Sequence, residues 1–109
     1  MGADFRHVLV LLAAVAPAEL LGGSTALAAD ADQGGVLARR WCASCHAVAG
    51  NQKQASADVP PFAAIAQKPD FSEEKIASFL LEPHPKMPNY ALSRYEAADI
   101  AAYIGSLHK

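Results

Sequence analysis

The sequence predicts one small all-α domain in which three main helices are joined by loops. Three stretches place apolar residues at helical spacing, and each begins or ends at a recognisable helix boundary. No stretch alternates polar and apolar residues clearly enough to predict a strand, and no internal repeat or low-complexity tract divides the chain. A chain of 109 residues, 52% of them hydrophobic, is long enough for a single domain.

The first 28 residues have the features of a cleaved secretory signal peptide. Arg6 and His7 precede an apolar run over residues 8–15, and small residues then end in Ala26-Leu27-Ala28. This A-x-A pattern predicts cleavage after Ala28, export to the periplasm and a mature domain of residues 29–109. An uncleaved membrane anchor is the alternative, but the apolar run is short for a spanning helix.

Charge and size narrow the possible partners. The full chain has a formal net charge of −2, and residues 29–109 retain eight Lys or Arg against nine Asp or Glu. No basic stripe indicates nucleic-acid binding, and removal of the signal would leave no stable membrane insertion.

A domain this small buries a marginal core, so a covalent prosthetic group would add apolar contacts that the chain alone lacks.

The first helix is predicted to begin at an N-cap, Asp32, and to run through Leu37 into Trp41-Cys42. Gly34 and Gly35 lie inside it, and each glycine costs about 1 kcal/mol of helix stability relative to alanine. Two such costs in one helix indicate that another part of the chain packs closely against its backbone.

A polar loop is predicted to follow, over residues 47–58, because small and polar residues including Gly50 and Asn51 interrupt any periodicity. Pro60-Pro61 then leads into a short apolar stretch, Phe62 to Ala66, which is long enough for one or two helical turns.

Ser72, followed by Glu73 and Glu74, predicts the start of the second main helix, which must end before Pro83. Its apolar positions follow i, i+3, i+4 spacing and are Ile76, Phe79 and Leu80.

The last helix is predicted from a capping box in which Ser93 is followed three residues later by Glu96. Its buried stripe has helical spacing and comprises Ala97, Ile100, Tyr103, Ile104 and Leu107.

The motif that carries chemistry is C-x-x-C-H, formed by Cys42, Cys45 and His46. This is the attachment motif of c-type haem: two thiols add across the two vinyl groups, and the adjacent imidazole becomes an axial ligand of the iron. A C-x-x-C pair alone could also be a redox dithiol or half of a zinc site. A thiol oxidoreductase would show βαβ patterning around the motif, and this chain predicts helices only.

A sixth iron ligand is expected at Met87, the only methionine after Met1. Pro85 and Pro88 flank Met87 and keep the segment extended. Such a segment cannot be a helix, which argues against Met87 as an ordinary residue of the hydrophobic core. A neutral thioether opposite an imidazole raises the reduction potential relative to two imidazoles. His84 is the alternative ligand; a pair of histidines would lower the potential.

Beyond the motif itself, the chain resembles the small bacterial monohaem class I cytochromes c over nearly all of residues 29–109. Gly34 and Leu37 lie eight and five residues before Cys42, as in that family, where the glycine lets the last helix cross closely over the first. Met87 followed by Pro88 resembles the family's methionine-ligand segment, and Tyr103 occupies the aromatic position of the helix crossing.

The resemblance implies the class I cytochrome c fold, wrapped around one haem c attached through two thioethers. It also implies that a proline carbonyl accepts a hydrogen bond from the axial histidine. The family's Gly-Pro-x-Leu is replaced here by a stretch containing Pro60 and Pro61, so either proline fits that role. Family members place a tryptophan near a haem propionate; because the only tryptophan is Trp41, we expect Phe79 or Tyr90 to fill part of that space.

Two axial ligands leave no open position on the iron, which indicates an electron-transfer protein and not an enzyme. We therefore expect a periplasmic carrier that exchanges single electrons with redox proteins: a dehydrogenase or reductase, and a terminal oxidase. The partner surface is expected near Cys45, Ala47 and the Lys86-Met87 loop, where Lys86 and Arg94 either steer an acidic partner or simply aid solubility. The alternatives are a cytochrome subunit of a periplasmic dehydrogenase complex and a ligand-binding haem sensor or peroxidatic protein.

Overall fold

A computed structural model describes residues 14–17, 27–52 and 56–109. They contain four helices: α1 (Ala31–Trp41), α2 (Phe62–Ala66), α3 (Glu73–Leu81) and α4 (Arg94–Ser106). No strand occurs in these ranges, so the all-α prediction is confirmed, and α2 is the short apolar stretch. Most of the predicted signal peptide lies outside the described residues. Across those same ranges, every helix is too short or too polar to cross a membrane.

The N-cap of helix α1 lies two residues earlier in the chain than predicted. Its N-cap is Asp30, whose side chain accepts a hydrogen bond from the Gln33 amide at 3.0 Å. The prediction of Asp32 as the cap was therefore wrong; Asp32 lies in the first turn, where a carboxylate still suits the helix dipole. The Asp30 amide also donates to the Asp99 carboxylate at 2.7 Å, so a contact with α4 fixes where α1 starts.

Helices α1 and α4 cross with their backbones in close contact at Gly34. A Cβ atom at this position would overlap the Asp99 carbonyl oxygen and approach the Tyr103 Cβ atom to 2.9 Å. The close crossing expected from the family resemblance is therefore present. The Tyr103 hydroxyl donates to the Val48 carbonyl at 2.5 Å, which ties the crossing to the loop after the C-x-x-C-H motif.

Residues from α1, α2 and α4, together with one loop residue, form the core. Its buried members are Leu37, Ala38, Val48, Phe62, Ala66, Ile100 and Ile104. Tyr103 and Leu107 of the predicted α4 stripe are half-buried and pack against this cluster. The core thus lies directly beneath the turn that carries the motif.

The predicted caps of α3 and α4 are confirmed. The Ser72 hydroxyl accepts from the Lys75 amide at 3.4 Å. The Ser93 hydroxyl accepts from the Glu96 amide at 3.1 Å, and the Ser93 amide donates to the Glu96 carboxylate at 2.7 Å, which completes the capping box. These local signals set the helix starts independently of the rest of the fold.

The apolar residues of α3 contact two different parts of the structure, the core and the segment that follows α3. Ile76 and Leu80 are half-buried and pack against the core, as the spacing predicts. Phe79 is 50% exposed and does not join the core; its ring instead stacks on His84, with centroids 4.2 Å apart. The physical reason is that Phe79 faces the segment following α3 and not α4.

Substitution of Gly34 by alanine should lower the free energy of unfolding by about 2 kcal/mol or more, because the added methyl group forces α1 and α4 apart. Gly50→Ala is the matched control, since a Cβ atom there meets nothing within 4 Å; it should stay within about 1 kcal/mol of wild type. Urea titration of both variants measures the difference. Equal stability of the two would show that the crossing tolerates a methyl group.

Candidate functional site

The C-x-x-C-H motif folds as a tight turn at the C-terminal end of α1. Cys42 is the C-cap of the helix, and its amide donates to the Ala38 carbonyl at 2.8 Å. The amides of Cys45 and His46 then both donate to the Cys42 carbonyl, at 3.1 and 2.9 Å. Both cysteines are free thiols. The turn brings the two thiols and the imidazole to the border of the same cavity.

That cavity consists of two apolar clefts, of about 430 and 420 Å³, which share Cys42, His46, Leu80 and Met87 as lining residues. The first cleft is further lined by Trp41, Cys45, Pro88, Tyr90 and Leu92. The second is further lined by Phe62, Ile65, Ile76, Phe79 and Ile104. The site is therefore a two-part apolar cavity whose few chemically active groups are sulfur and imidazole.

The His46 ring is oriented by a backbone carbonyl. Its Nδ1 lies 2.6 Å from the Pro60 carbonyl oxygen. Because a carbonyl only accepts, Nδ1 carries the proton and the Nε2 lone pair is left to bind a metal. This is the usual arrangement behind a metal-bound histidine. Of the two prolines expected from the resemblance, Pro60 makes this bond.

Gln52 holds the turn together through three hydrogen bonds to backbone groups. Its amide nitrogen donates to the carbonyls of Ala43 and His46, both at 3.0 Å, and its oxygen accepts from the Val48 amide at 3.1 Å. The sequence analysis did not single out Gln52. No sequence signal marks it, because all its partners are backbone groups that are brought together only by the fold.

Burial raises the pKa of the Cys42 thiol to about 11, and the neighbouring Cys45 adds to the rise by charge repulsion. Before haem is attached, Cys42 is therefore protonated at neutral pH. A half-buried, neutral thiol at the cavity border fits a residue whose role is to be bonded to an apolar group within the cavity.

Met87 lines both clefts, whereas His84 lines neither. His84 Nδ1 donates to the Glu82 carbonyl at 2.7 Å, and its Nε2 is buried with no hydrogen-bond partner in the part of the chain that the structure describes. The structure thus brings Cys42, Cys45, His46 and Met87 to one cavity and leaves the alternative ligand outside it.

One wall of the first cleft is aromatic and partly exposed. The Trp41 ring lies 5.4 Å from the Tyr90 ring, and the Arg40 guanidinium lies 5.0 Å from the Trp41 centroid. Tyr90 lines the first cleft and Phe79 lines the second. Both residues that we expected to compensate for a missing tryptophan therefore border the cavity.

The donor set fits a haem and does not fit a bare metal ion. Within residues 14–17, 27–52 and 56–109, no three His, Cys, Asp or Glu side chains cluster closely enough to hold a metal. One imidazole and one thioether supply only two ligands, which suffices when a porphyrin supplies the other four. The two thiols add covalent attachment, and the apolar walls match the porphyrin faces.

Two comparisons with known proteins agree with this fit. The family described as cytochrome c oxidase, cbb3-type, subunit III matches residues 29–104. Cytochrome c-552 of Bradyrhizobium diazoefficiens is 70% identical over 84 residues, which cover 77% of this chain and 81% of the relative. No solved structure gives a significant match.

Gln52→Ala should lower the free energy of unfolding by about 2–3 kcal/mol, because it leaves three partly buried backbone groups without partners. Gln67→Ala is the control: Gln67 makes one exposed hydrogen bond, to the Leu107 carbonyl at 3.0 Å, so its loss should cost under about 1 kcal/mol. Urea unfolding of the haem-loaded variants tests both values. A Gln52 variant no less stable than the Gln67 variant would contradict the assigned role.

Proposed function

The chain belongs to the small monohaem c-type cytochromes, and from that membership we propose that it carries electrons in the periplasm with its haem iron ligated by His46 and Met87. Its cofactor is haem c, and it is an electron-transfer protein and not an enzyme. One observation carries the proposed ligation: Cys42, His46 and Met87 all line both clefts of a single apolar cavity.

Each site residue has a separate proposed role. Cys42 and Cys45 hold the porphyrin through thioether bonds, and the turn at the end of α1 fixes their spacing. The hydrogen bond from His46 Nδ1 to Pro60 directs Nε2 to the iron. When bound, the haem supplies a reversible one-electron couple. The Met87 thioether is a neutral ligand that favours the reduced iron and thereby raises the potential.

Export is proposed from the sequence of residues 1–28 together with the family match. The match begins at residue 29, directly after the predicted cleavage position. Attachment of haem c outside the cytoplasm fits this order of events. We propose that residues 1–28 are removed as a signal peptide and that residues 29–109 act in the periplasm.

The proposed partners are a dehydrogenase or reductase that donates electrons and a terminal oxidase that accepts them. Three exposed cations, Arg40, Lys86 and Arg94, each lie within two residues of a residue that lines the first cleft. None of the three forms an ion pair with any residue in the described ranges. These three cations adjoin lining residues in a chain whose net charge is negative, which supports docking of an acidic partner surface.

A fixed subunit of a periplasmic dehydrogenase complex is the second candidate. Several large apolar side chains of the mature domain are exposed, among them Val36 and Phe79 at 50% and Tyr95 at 68%. Such side chains suit a permanent interface. Co-purification with a dehydrogenase subunit in constant proportion, at physiological salt, would favour the complex over the free carrier.

The ferric protein should show the weak charge-transfer band of a methionine–iron bond, and the ferrous protein should not bind carbon monoxide, because Met87 fills the sixth position. Optical spectra of protein purified from the periplasm test this. A mass spectrum of the same sample should show a chain that begins at Ala29 and carries one haem. A high-spin or carbon monoxide-binding haem would instead support the sensor or peroxidatic alternative.

Met87→Ala should abolish the band and open the sixth position to carbon monoxide. His84→Ala distinguishes the two candidate ligands, since it should retain the band of the methionine–iron bond. A wild type that lacks the band, with His84→Ala but not Met87→Ala opening the iron to carbon monoxide, would reverse the assignment.

Oxidation of the ferrous protein by ferricyanide should slow as ionic strength rises, because the cations near the cleft attract this anion. At low salt, Lys86→Glu should lower the rate several-fold. Lys109→Glu changes the net charge equally at the C-terminus and should have a smaller effect. Stopped-flow absorbance measures both rates. Equal effects of the two substitutions would show that only the net charge matters.

A further inference from the structure

The segment that carries Met87 has little support from its own backbone. Residues 83–91, all of which the structure describes, lie between α3 and α4 and belong to no helix. The segment makes a turn at residues 85–86, but Pro83, Pro85 and Pro88 have no amide proton, and none of its other amides donates a hydrogen bond of normal geometry to the backbone of a helix. Side-chain contacts therefore attach the segment to the helices.

Two ring contacts attach the segment to the helices, and they lie three residues before and three residues after Met87. On one side, the His84 ring stacks on Phe79 of α3, with centroids 4.2 Å apart and planes inclined by 22°. On the other side, the Tyr90 ring packs against Trp41, the last residue of α1, at 5.4 Å. Met87 thus lies between two ring contacts, one to α3 and the other to α1.

The contact at His84 includes a directional bond. His84 Nδ1 donates to the carbonyl of Glu82, the C-cap residue of α3, and the Glu82 amide donates in turn to the Phe79 carbonyl at 3.3 Å. Nε2 is buried and has no hydrogen-bond partner among the described residues, and within them the ring is oriented by the Glu82 carbonyl and the Phe79 face. The ring therefore fixes the direction in which the segment leaves α3.

We propose that His84 and Tyr90 are positioning residues that hold the Met87 thioether in the cavity. This inference rests on the proposed role of Met87 as an axial ligand. Neither ring ligates the iron; each acts by restricting the segment, so that the sulfur remains at the sixth position. Loosening either contact should raise the fraction of molecules in which Met87 has moved away.

An external ligand measures that fraction directly. Imidazole binds the ferric iron only after Met87 has left, so its apparent affinity is proportional to the fraction of molecules with a free sixth position. His84→Ala removes both the stack and the hydrogen bond, and should raise the apparent affinity for imidazole roughly tenfold. Disappearance of the methionine–iron charge-transfer band during titration provides the readout.

Two further variants at histidine positions sharpen the test. His84→Phe keeps an aromatic ring against Phe79 but loses the bond to Glu82, so it should restore part of the wild-type affinity. His108→Ala is the matched control, because His108 Nδ1 makes the same kind of bond to a backbone carbonyl, that of Ala66 at 2.9 Å, outside the Met87 segment. It should leave imidazole binding unchanged.

The contact at Tyr90 is tested by a pair of substitutions. Tyr90→Leu removes the ring and should raise the imidazole affinity severalfold. Tyr90→Phe keeps the ring and should match the wild type, because the hydroxyl makes no hydrogen bond within the described ranges. This pair also carries the test if His84→Ala fails to accumulate.

A lower free energy of unfolding with unchanged imidazole affinity, in both His84→Ala and Tyr90→Leu, would overturn the proposal, since the rings would then be merely structural. Failure of the proposed function gives a different result: the wild-type protein itself would lack the methionine–iron band. Increased affinity in both variants, with none in His108→Ala, would establish the positioning role.

Discussion

The site depends on the close contact between α1 and α4 at Gly34. Because glycine has no side chain, the backbones of α1 and α4 are in direct contact there. This contact sets the position of the C-terminal end of α1, which places Cys42 at the cavity. The same crossing brings Tyr103 within reach of the Val48 carbonyl, so the loop after the motif is held by α4. A wider separation of the two helices would both shift the thiols and break the hydrogen bond that holds this loop. The unfavourable helix propensity of the glycines is the local cost of this geometry.

The polar groups around the motif are hydrogen-bonded to one another, so the cavity is lined mainly by apolar groups. Gln52 satisfies three backbone groups of the turn, and the Pro60 carbonyl accepts the one proton of the His46 ring. What faces the cavity is therefore mainly hydrocarbon and sulfur, together with one lone pair. In such a medium, charge on the iron is poorly solvated, so burial would act together with the proposed Met87 ligand to favour the reduced state. The hydrogen bonds of the loop thus bear on the reduction potential as well as on stability.

Features set by neighbouring residues could be predicted from the sequence, and features set by distant contacts could not. The capping box at Ser93 and the N-cap at Ser72 are local, and both are present as predicted. The cap of α1 was misplaced because the choice between Asp30 and Asp32 depends on a bond to Asp99, 69 residues away. Similarly, the choice of Pro60 over Pro61 depends on how the loop turns beneath His46. Met87 was predicted as a ligand from its flanking prolines and from the family resemblance, and it stays a prediction; the structure places that side chain, unlike His84, against the cavity.

Ring contacts and backbone hydrogen bonds constrain a ligand segment in different ways. A segment bonded along its backbone to one helix would follow that helix alone, whereas the Met87 segment is attached by His84 to α3 and by Tyr90 to α1. Since α1 also ends in the motif that presents His46, the positions of the two proposed axial ligands are coupled through the same helix end. An electron carrier benefits from this coupling, because a ligand frame that is already in place need not rearrange when the charge on the iron changes by one. The Trp41–Tyr90 contact is therefore the point at which α1 and the Met87 segment meet.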